Sequence, residues 1–133
     1  MSTEPNKNLV RRAMAAFGRG DMEDYLADAA DNVTYTLIGT TPFSGTLYGK
    51  QAALDMLRNG LRPSLSSPGI VMTIENLIAE GEYVVEQARG QARTATGKDY
   101  NNTYCRVWRI VDGKITALVE YLDTELVRSA FTD

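Results

Sequence analysis

Two glutamates, Glu86 and Glu120, are the residues in this sequence best placed to do chemistry. Both sit in the middle of β-like stretches whose neighbours on the same face are small or apolar. An unpaired carboxylate in such a place costs several kcal/mol unless it protonates or finds a partner (~2–7 kcal/mol for a polar group, more for a charge). Burial also raises a carboxyl pKa toward neutrality, where it can serve as a general acid or base. The chain has no histidine. Ser-His-Asp and Cys-His catalysis are therefore excluded within it, and a metal site would lack its commonest ligand. Acid–base work falls to Asp, Glu, Tyr, Lys or the single cysteine, Cys105.

The elements that must position these groups can be read along the chain. Residues 4–17 predict a helix, with Thr3 as N-cap, Pro5 in the first turn and an apolar stripe of Leu9, Val10, Ala13, Met14 and Phe17. Gly18 and Gly20 stop it, and Asp21 caps a second helix burying Met22, Tyr25, Leu26 and Ala29. Residues 33–38 (VTYTLI) read as a strand, and Gly39–Gly49 as a structured loop or short hairpin. Residues 50–59 form a third helix, and 62–69 a surface loop. Four strands then follow: 70–79, 82–93, 99–111 and 114–122. Turns at Gly81, Thr96-Gly97 and Asp112-Gly113 join them. Asp123 caps a last helix with Leu126, Val127 and Ala130 inward. The order predicts one α+β domain over 1–133, with helices gathered on one face of a curved antiparallel sheet around an apolar pocket.

Two-residue loops at 96–97 and 112–113 would pair Ala88 with Cys105, Glu86 with Val107, Cys105 with Glu120 and Val107 with Leu118. Alternation then places Glu86, Ala88, Cys105, Val107, Leu118 and Glu120 on the pocket face. On that register Glu86 can pair with Arg109. Gln87, Arg89, Tyr104, Arg106, Trp108 and Tyr121 fall on the other face, whose Tyr, Trp and Arg content is that of a protein interface. A homodimer through the Arg106/Trp108/Tyr121 face is the expected assembly. A slip of one residue would instead carry Tyr104 and Trp108 into the pocket.

Composition limits the partners. Net charge is −3 with no basic block, so no nucleic-acid footprint is expected. No apolar run nears the ~20 residues of a membrane span. The opening MSTEPNKN lacks the features of a secretory signal, and a lone cysteine forms no intrachain disulfide. A cytoplasmic protein with a small-molecule ligand and no cofactor is expected. Asp21, Asp24, Asp28 and Asp31 recur at helical spacing and read as a solvated face.

The loop G-x-x-P-F-S-G-x-x-x-G (Gly39, Pro42, Phe43, Ser44, Gly45, Gly49), the stretch TGKDYNNTYC (96–105), and DGKI with EYLDT (112–115 and 120–124) resemble the nuclear-transport-factor-2-like superfamily. Within it they look most like SnoaL-like, ketosteroid isomerase-related proteins. The resemblance covers nearly the whole chain. It implies a cone-shaped, cystatin-like α+β fold, usually dimeric, with a pocket at the wide end. It also implies substrate contacts at Ala13, Thr36 and Cys105. Those are the places of the isomerases' helix tyrosine, general base and oxyanion aspartate. None keeps its chemistry, so steroid isomerisation by the Tyr/Asp/Asp mechanism is not expected. Aligned with limonene-epoxide hydrolases, Glu86, Ala88 and Glu120 fall at the three site positions, and only Glu120 retains its character. Glu120 is thus the expected catalytic residue, with Thr36, Glu86, Cys105, Ala13 and Leu118 as expected substrate contacts. The expected activity is cofactor-free acid–base chemistry: isomerase, cyclase, dehydratase or hydrolase. The alternative is a non-catalytic binding or association domain.

Overall fold

The computed structural model describes residues 3–132. Helix α1 (Glu4–Gly18) buries Val10, Ala13 and Met14, three positions from the stripe that predicts it, and Ala16 beside them. Thr3 stands at its N-cap, but its side chain makes no capping bond. A short α2 (Met22–Tyr25) follows, and the Asp21 carboxylate accepts from the Asp24 amide as a cap should. Strand β1 (Ala29–Leu37) begins four residues earlier than its β-branched run suggests, because Ala29 already pairs with Ile115. The Gly39–Gly49 segment contains strand β2 (Gly45–Tyr48), which closes a hairpin on β1. Helix α3 (Lys50–Asp55) continues into a wider π turn over Met56–Leu61 and a 3₁₀ turn over Arg62–Ser64.

Strands β3 (Val71–Glu80), β4 (Tyr83–Gln91), β5 (Thr103–Val111) and β6 (Lys114–Leu122) form the expected meander, and α4 (Thr124–Phe131) ends the fold. The carboxylate of Asp123 accepts from the Leu126 amide, capping α4 as its sequence indicates. The sheet order is β2-β1-β6-β5-β4-β3. It is not wholly antiparallel, because β1 runs parallel to β6. That pairing brings the first strand beside the last and lets α1 and α3 lie across the concave face.

The register of β5 differs from the expected one by one residue on both sides. The β4–β5 connection is a three-residue loop, Ala95–Thr96–Gly97, closed by the Thr94 amide on the Lys98 carbonyl, with Gly97 at φ +93°. Glycine meets that backbone without penalty. Asp112 and Gly113 form the expected two-residue turn, both at positive φ, and Val111 pairs with Lys114. A bulge near Thr116 then shifts the ladder, so that Arg109 faces Ala117 and Arg106 faces Glu120. Because side chains alternate with period two, each one-residue change turns β5 over relative to its neighbour. Strand β4, and β6 beyond its bulge, keep the faces expected of them, and β5 does not. The expected pairs Glu86/Val107 and Cys105/Glu120 are replaced by Glu86/Arg106 and Arg106/Glu120.

Tyr104, Arg106, Trp108 and Ile110 therefore point under the helices and are buried, while Cys105 and Val107 lie on the outer face, half-buried. Among the described residues no helix is long and apolar enough to cross a membrane.

Candidate functional site: a buried acid–arginine cluster beside a narrow hollow

A hollow opens between the concave side of the sheet, the π turn and α4. Its polar lining comes from Tyr35, Tyr100, Tyr104, Arg106 and Glu120. Its walls are apolar, and Phe17, Phe43, Leu61, Met56, Met72 and Phe131 are among them. The π turn supplies Met56, Leu57 and Leu61 together; such wider turns recur at functional sites. The cavity offers about 40 Å³ to the centres of water molecules, within about 500 Å³ of space free of atoms, mouth included. One water needs roughly 10–15 Å³ by this measure, so the hollow takes a few waters as it stands. A larger guest requires side chains to move, and the methionines are the most pliable of them. A second recess shares Tyr35, Leu37, Phe43 and Met56 with the first and runs outward between Pro42–Leu47 and Gly60.

Glu120 is the carboxyl that lines this hollow, and it is 6% exposed. The hydroxyl of Tyr35 donates to its Oε1. The Nε of Arg106 lies 3.6 Å from its Oε2, an ion pair without a hydrogen bond. Arg106 also donates from Nη1 to Oε2 of Glu86 at 3.1 Å, and the Trp108 indole donates to Oε1 of Glu86 at 3.0 Å. Glu86 is fully buried and lies on the far side of Arg106, not on the hollow's wall. The guanidinium sits 4.6 Å from the centre of the Tyr104 ring, a cation–π contact.

Charge balance explains the arrangement. Burial alone would lower the Arg106 pKa, but Glu120 and Glu86 on either side outweigh it and raise it, so the guanidinium stays charged. Burial raises the Glu86 pKa, and Arg106 and the Trp108 N–H oppose the rise. Tyr35 is pushed well above the usual phenol range, first by burial and then by the charge of Glu120. Tyr104 and Tyr25 are raised mainly by burial, and all three remain protonated donors.

Of the expected contact residues, Thr36 lies on the outer face, where its hydroxyl meets that of Thr46 at 2.9 Å. Its neighbour Tyr35 takes the inward place. Cys105 is outside as well, for the register reason given above. Ala13 and Leu118 are buried in the packed core and do not line the hollow. Arg109 pairs with Glu82 at the surface, not with Glu86. The expected interface cannot use Arg106 or Trp108, which are 2% and 0% exposed; only Tyr121 of that trio is at the surface.

Tyr104 and Arg106 are the site residues that the spacing of turns conceals, whereas Tyr35 is passed over because the resemblance places its neighbour Thr36 at the site. A signal for Arg106 was present. Two inward carboxylates two strands apart need a cation between them, and only β5 runs between β4 and β6.

Two further segments hold the hollow's rim. Ser44 accepts from the Thr41 amide at 2.8 Å and donates to the Ile38 carbonyl at 2.8 Å. This fixes Phe43 edge-on to Phe131, with ring centres 5.0 Å apart. Asn102, 2% exposed, donates to the Asp123 carbonyl and the Tyr100 hydroxyl and accepts from the Asp123 amide. It ties the start of β5 to the start of α4.

Residues 10–118 match the profile of the SnoaL-like domain. A search of curated proteins finds no match. Among solved structures, an NTF2-like protein of unknown function from Burkholderia pseudomallei superposes with a TM-score of 0.87 at 23% identity, covering 100% of both chains. A provisionally assigned isomerase from Bacillus subtilis gives 0.83 at 21% identity, covering 98% of this chain and 96% of the other. A provisionally assigned SnoaL-like polyketide cyclase from Jannaschia sp. CCS1 gives 0.82 at 17% identity, covering 96% and 92%. At these identities the likeness is one of fold.

Proposed function

Because the chain belongs to the SnoaL-like family, we propose that it is a cofactor-free acid–base enzyme acting on a small, largely apolar substrate held in the hollow. Glu120 is the general acid or base. One observation carries this reading: Glu120 is a buried carboxyl on the wall of an otherwise mostly apolar cavity. Tyr35 and Arg106 hold its two oxygens and orient them. An isomerase, cyclase, dehydratase or hydrolase each needs such a positioned proton carrier, typically worth ~10²–10⁴-fold in rate. The fold neighbours assigned as isomerase and cyclase are consistent with that class.

The test is Glu120→Gln assayed by NMR for turnover of a panel of hydrophobic ketones, acids and epoxides. The expected outcome is a folded variant whose turnover drops by about 10²-fold or more. Full activity in that variant removes Glu120 from the chemistry.

A second reading is favoured by the same contacts. A carboxylate already engaged by a tyrosine and an arginine also suits a static ligand-binding domain. Thermal stabilisation by members of the panel, with no product in the NMR spectra, would select it.

We further propose that two copies pair through the convex face of the sheet. Val119, Val107, Val85 and Ile78 stand side by side there across β6, β5, β4 and β3. Ile78 is 53% exposed and Tyr121 45%. Sedimentation equilibrium at micromolar concentration reads this directly. A cytoplasmic setting, where Cys105 stays reduced, completes the proposal, and cell fractionation checks it.

A further inference from the structure

Two buried polar atoms on the hollow's wall lack a well-formed hydrogen bond: the Nε of Arg106, 3.6 Å from Glu120 Oε2, and the hydroxyl of Tyr104, which faces that of Tyr100. Both residues are more than nine-tenths buried, at 2% and 4% exposed, and both line the same cavity as Glu120. Leaving such a group unpaired costs about 1–3 kcal/mol. Native structures rarely leave one orphaned without a water, ligand or strain to account for it. Both atoms can donate to a better-placed acceptor: Nε carries one hydrogen, beyond hydrogen-bond reach of Glu120, and a protonated phenol carries another. Tyr104 is kept protonated by burial.

The charge of Arg106, in contrast, is already spent. Two carboxylates, Glu86 and Glu120, flank one guanidinium. With both ionised the three groups sum to −1, and with one protonated they sum to zero. In neither state is there a net positive charge to attract an anion into a buried, mostly apolar site. We infer that the hollow selects a neutral ligand bearing an oxygen acceptor, a ketone or other carbonyl on an apolar ring. The oxygen is received by the Arg106 Nε–H and the Tyr104 hydroxyl, and the isosteric carboxylate is rejected. The aromatic and aliphatic walls take the ring once Met56 and Met72 move aside. This rests on the reading of the hollow as a ligand site and adds to it which chemical class enters.

The single tryptophan gives a local reporter, since its indole N–H bonds Glu86 beside Arg106. Acetophenone, benzoate and ethylbenzene are titrated into the ¹⁵N-labelled protein at pH 7.5, following the Trp108 indole resonance. The expected result is that acetophenone binds at least tenfold more tightly than either of the others. Tyr104→Phe, which keeps the ring under the guanidinium, should weaken acetophenone about five- to tenfold and leave ethylbenzene unchanged. Arg106→Lys keeps a charge for Glu86 but removes Nε, and should also erase the preference for the ketone. Benzoate equal to or tighter than acetophenone overturns the inference, as does ethylbenzene equal to it. In those cases the hollow still stands as a ligand site. Failure of all three to move the indole signal overturns both. The wild-type ranking decides the matter even where a variant does not fold.

Discussion

At the scale of single residues the molecule turns on Arg106. One guanidinium satisfies two carboxylates that would otherwise be stranded under the helices. Breaking such a pair is costly, because the partner's charge is left buried and uncompensated (~3–5 kcal/mol). Its effect on Glu86 is measurable as a pH dependence. The Glu86 pKa is raised by burial. Between the ordinary glutamate value and the raised one, the folded protein therefore holds more protons than the unfolded chain. Stability from this group is present at low pH and is lost as pH rises through that window. Glu86→Gln has no such titration. We expect the Tm of wild type minus that of Glu86→Gln, measured by calorimetry from acid to neutral pH, to fall as pH rises. A difference that stays constant would mean that Glu86 titrates as it does in the unfolded chain.

Among the elements, β5 is the one whose orientation decides the site. Its inward row needs room, and Gly90 on β4 provides it. A Cβ there would lie 2.8 Å from Cε1 of Tyr104, 2.9 Å from Cγ2 of Ile70 and 3.2 Å from Sδ of Met72. Gly90→Ala should therefore cost about 1–3 kcal/mol by overpacking and displace the Tyr104 ring from beneath Arg106. Urea denaturation reads the loss, and unchanged stability would show that the ring yields freely. Much of the surrounding scaffold was legible from sequence. The caps Asp21 and Asp123 act as their spacing indicates. The Asp112-Gly113 turn and the buried stripe of α1 also appear where expected. Glu120 does point inward. The row Tyr104, Arg106, Trp108, Ile110 was not legible from turn chemistry, because the turn residues Thr96-Gly97 read equally well as a two-residue or a three-residue loop; only the need of two inward carboxylates for a cation pointed to it. A bulge near Thr116 leaves no mark in the local sequence either.

For the whole molecule, the open sheet has a helix-covered side and a bare one. The bare side carries the valine row, Tyr83, 49% exposed, and Tyr121, 45% exposed. A charge placed at the centre of that row has no route to solvent in a paired sheet. Val107→Glu is expected to convert a dimer at micromolar concentration into a monomer, with the far-ultraviolet spectrum unchanged. A wild-type monomer at that concentration overturns the pairing. The same inversion of β5 that places Arg106 and Trp108 in the interior puts Val107 on this face. The strand's orientation thus sets both the site and the outer surface.

The amino-acid sequence by itself determined the order of helices and strands, the α+β class and the inward faces of β4 and β6. Local caps, turn chemistry and apolar periodicity are properties of neighbouring residues, and they survive without a partner. Only the tertiary structure decided which face of β5 looks inward, and hence that Arg106 joins Glu86 and Glu120 while Cys105 does not. A strand's two faces exchange on a shift of one residue, at almost no local cost. The choice is made by what the neighbouring strands bury, here two carboxylates with one cation able to reach both.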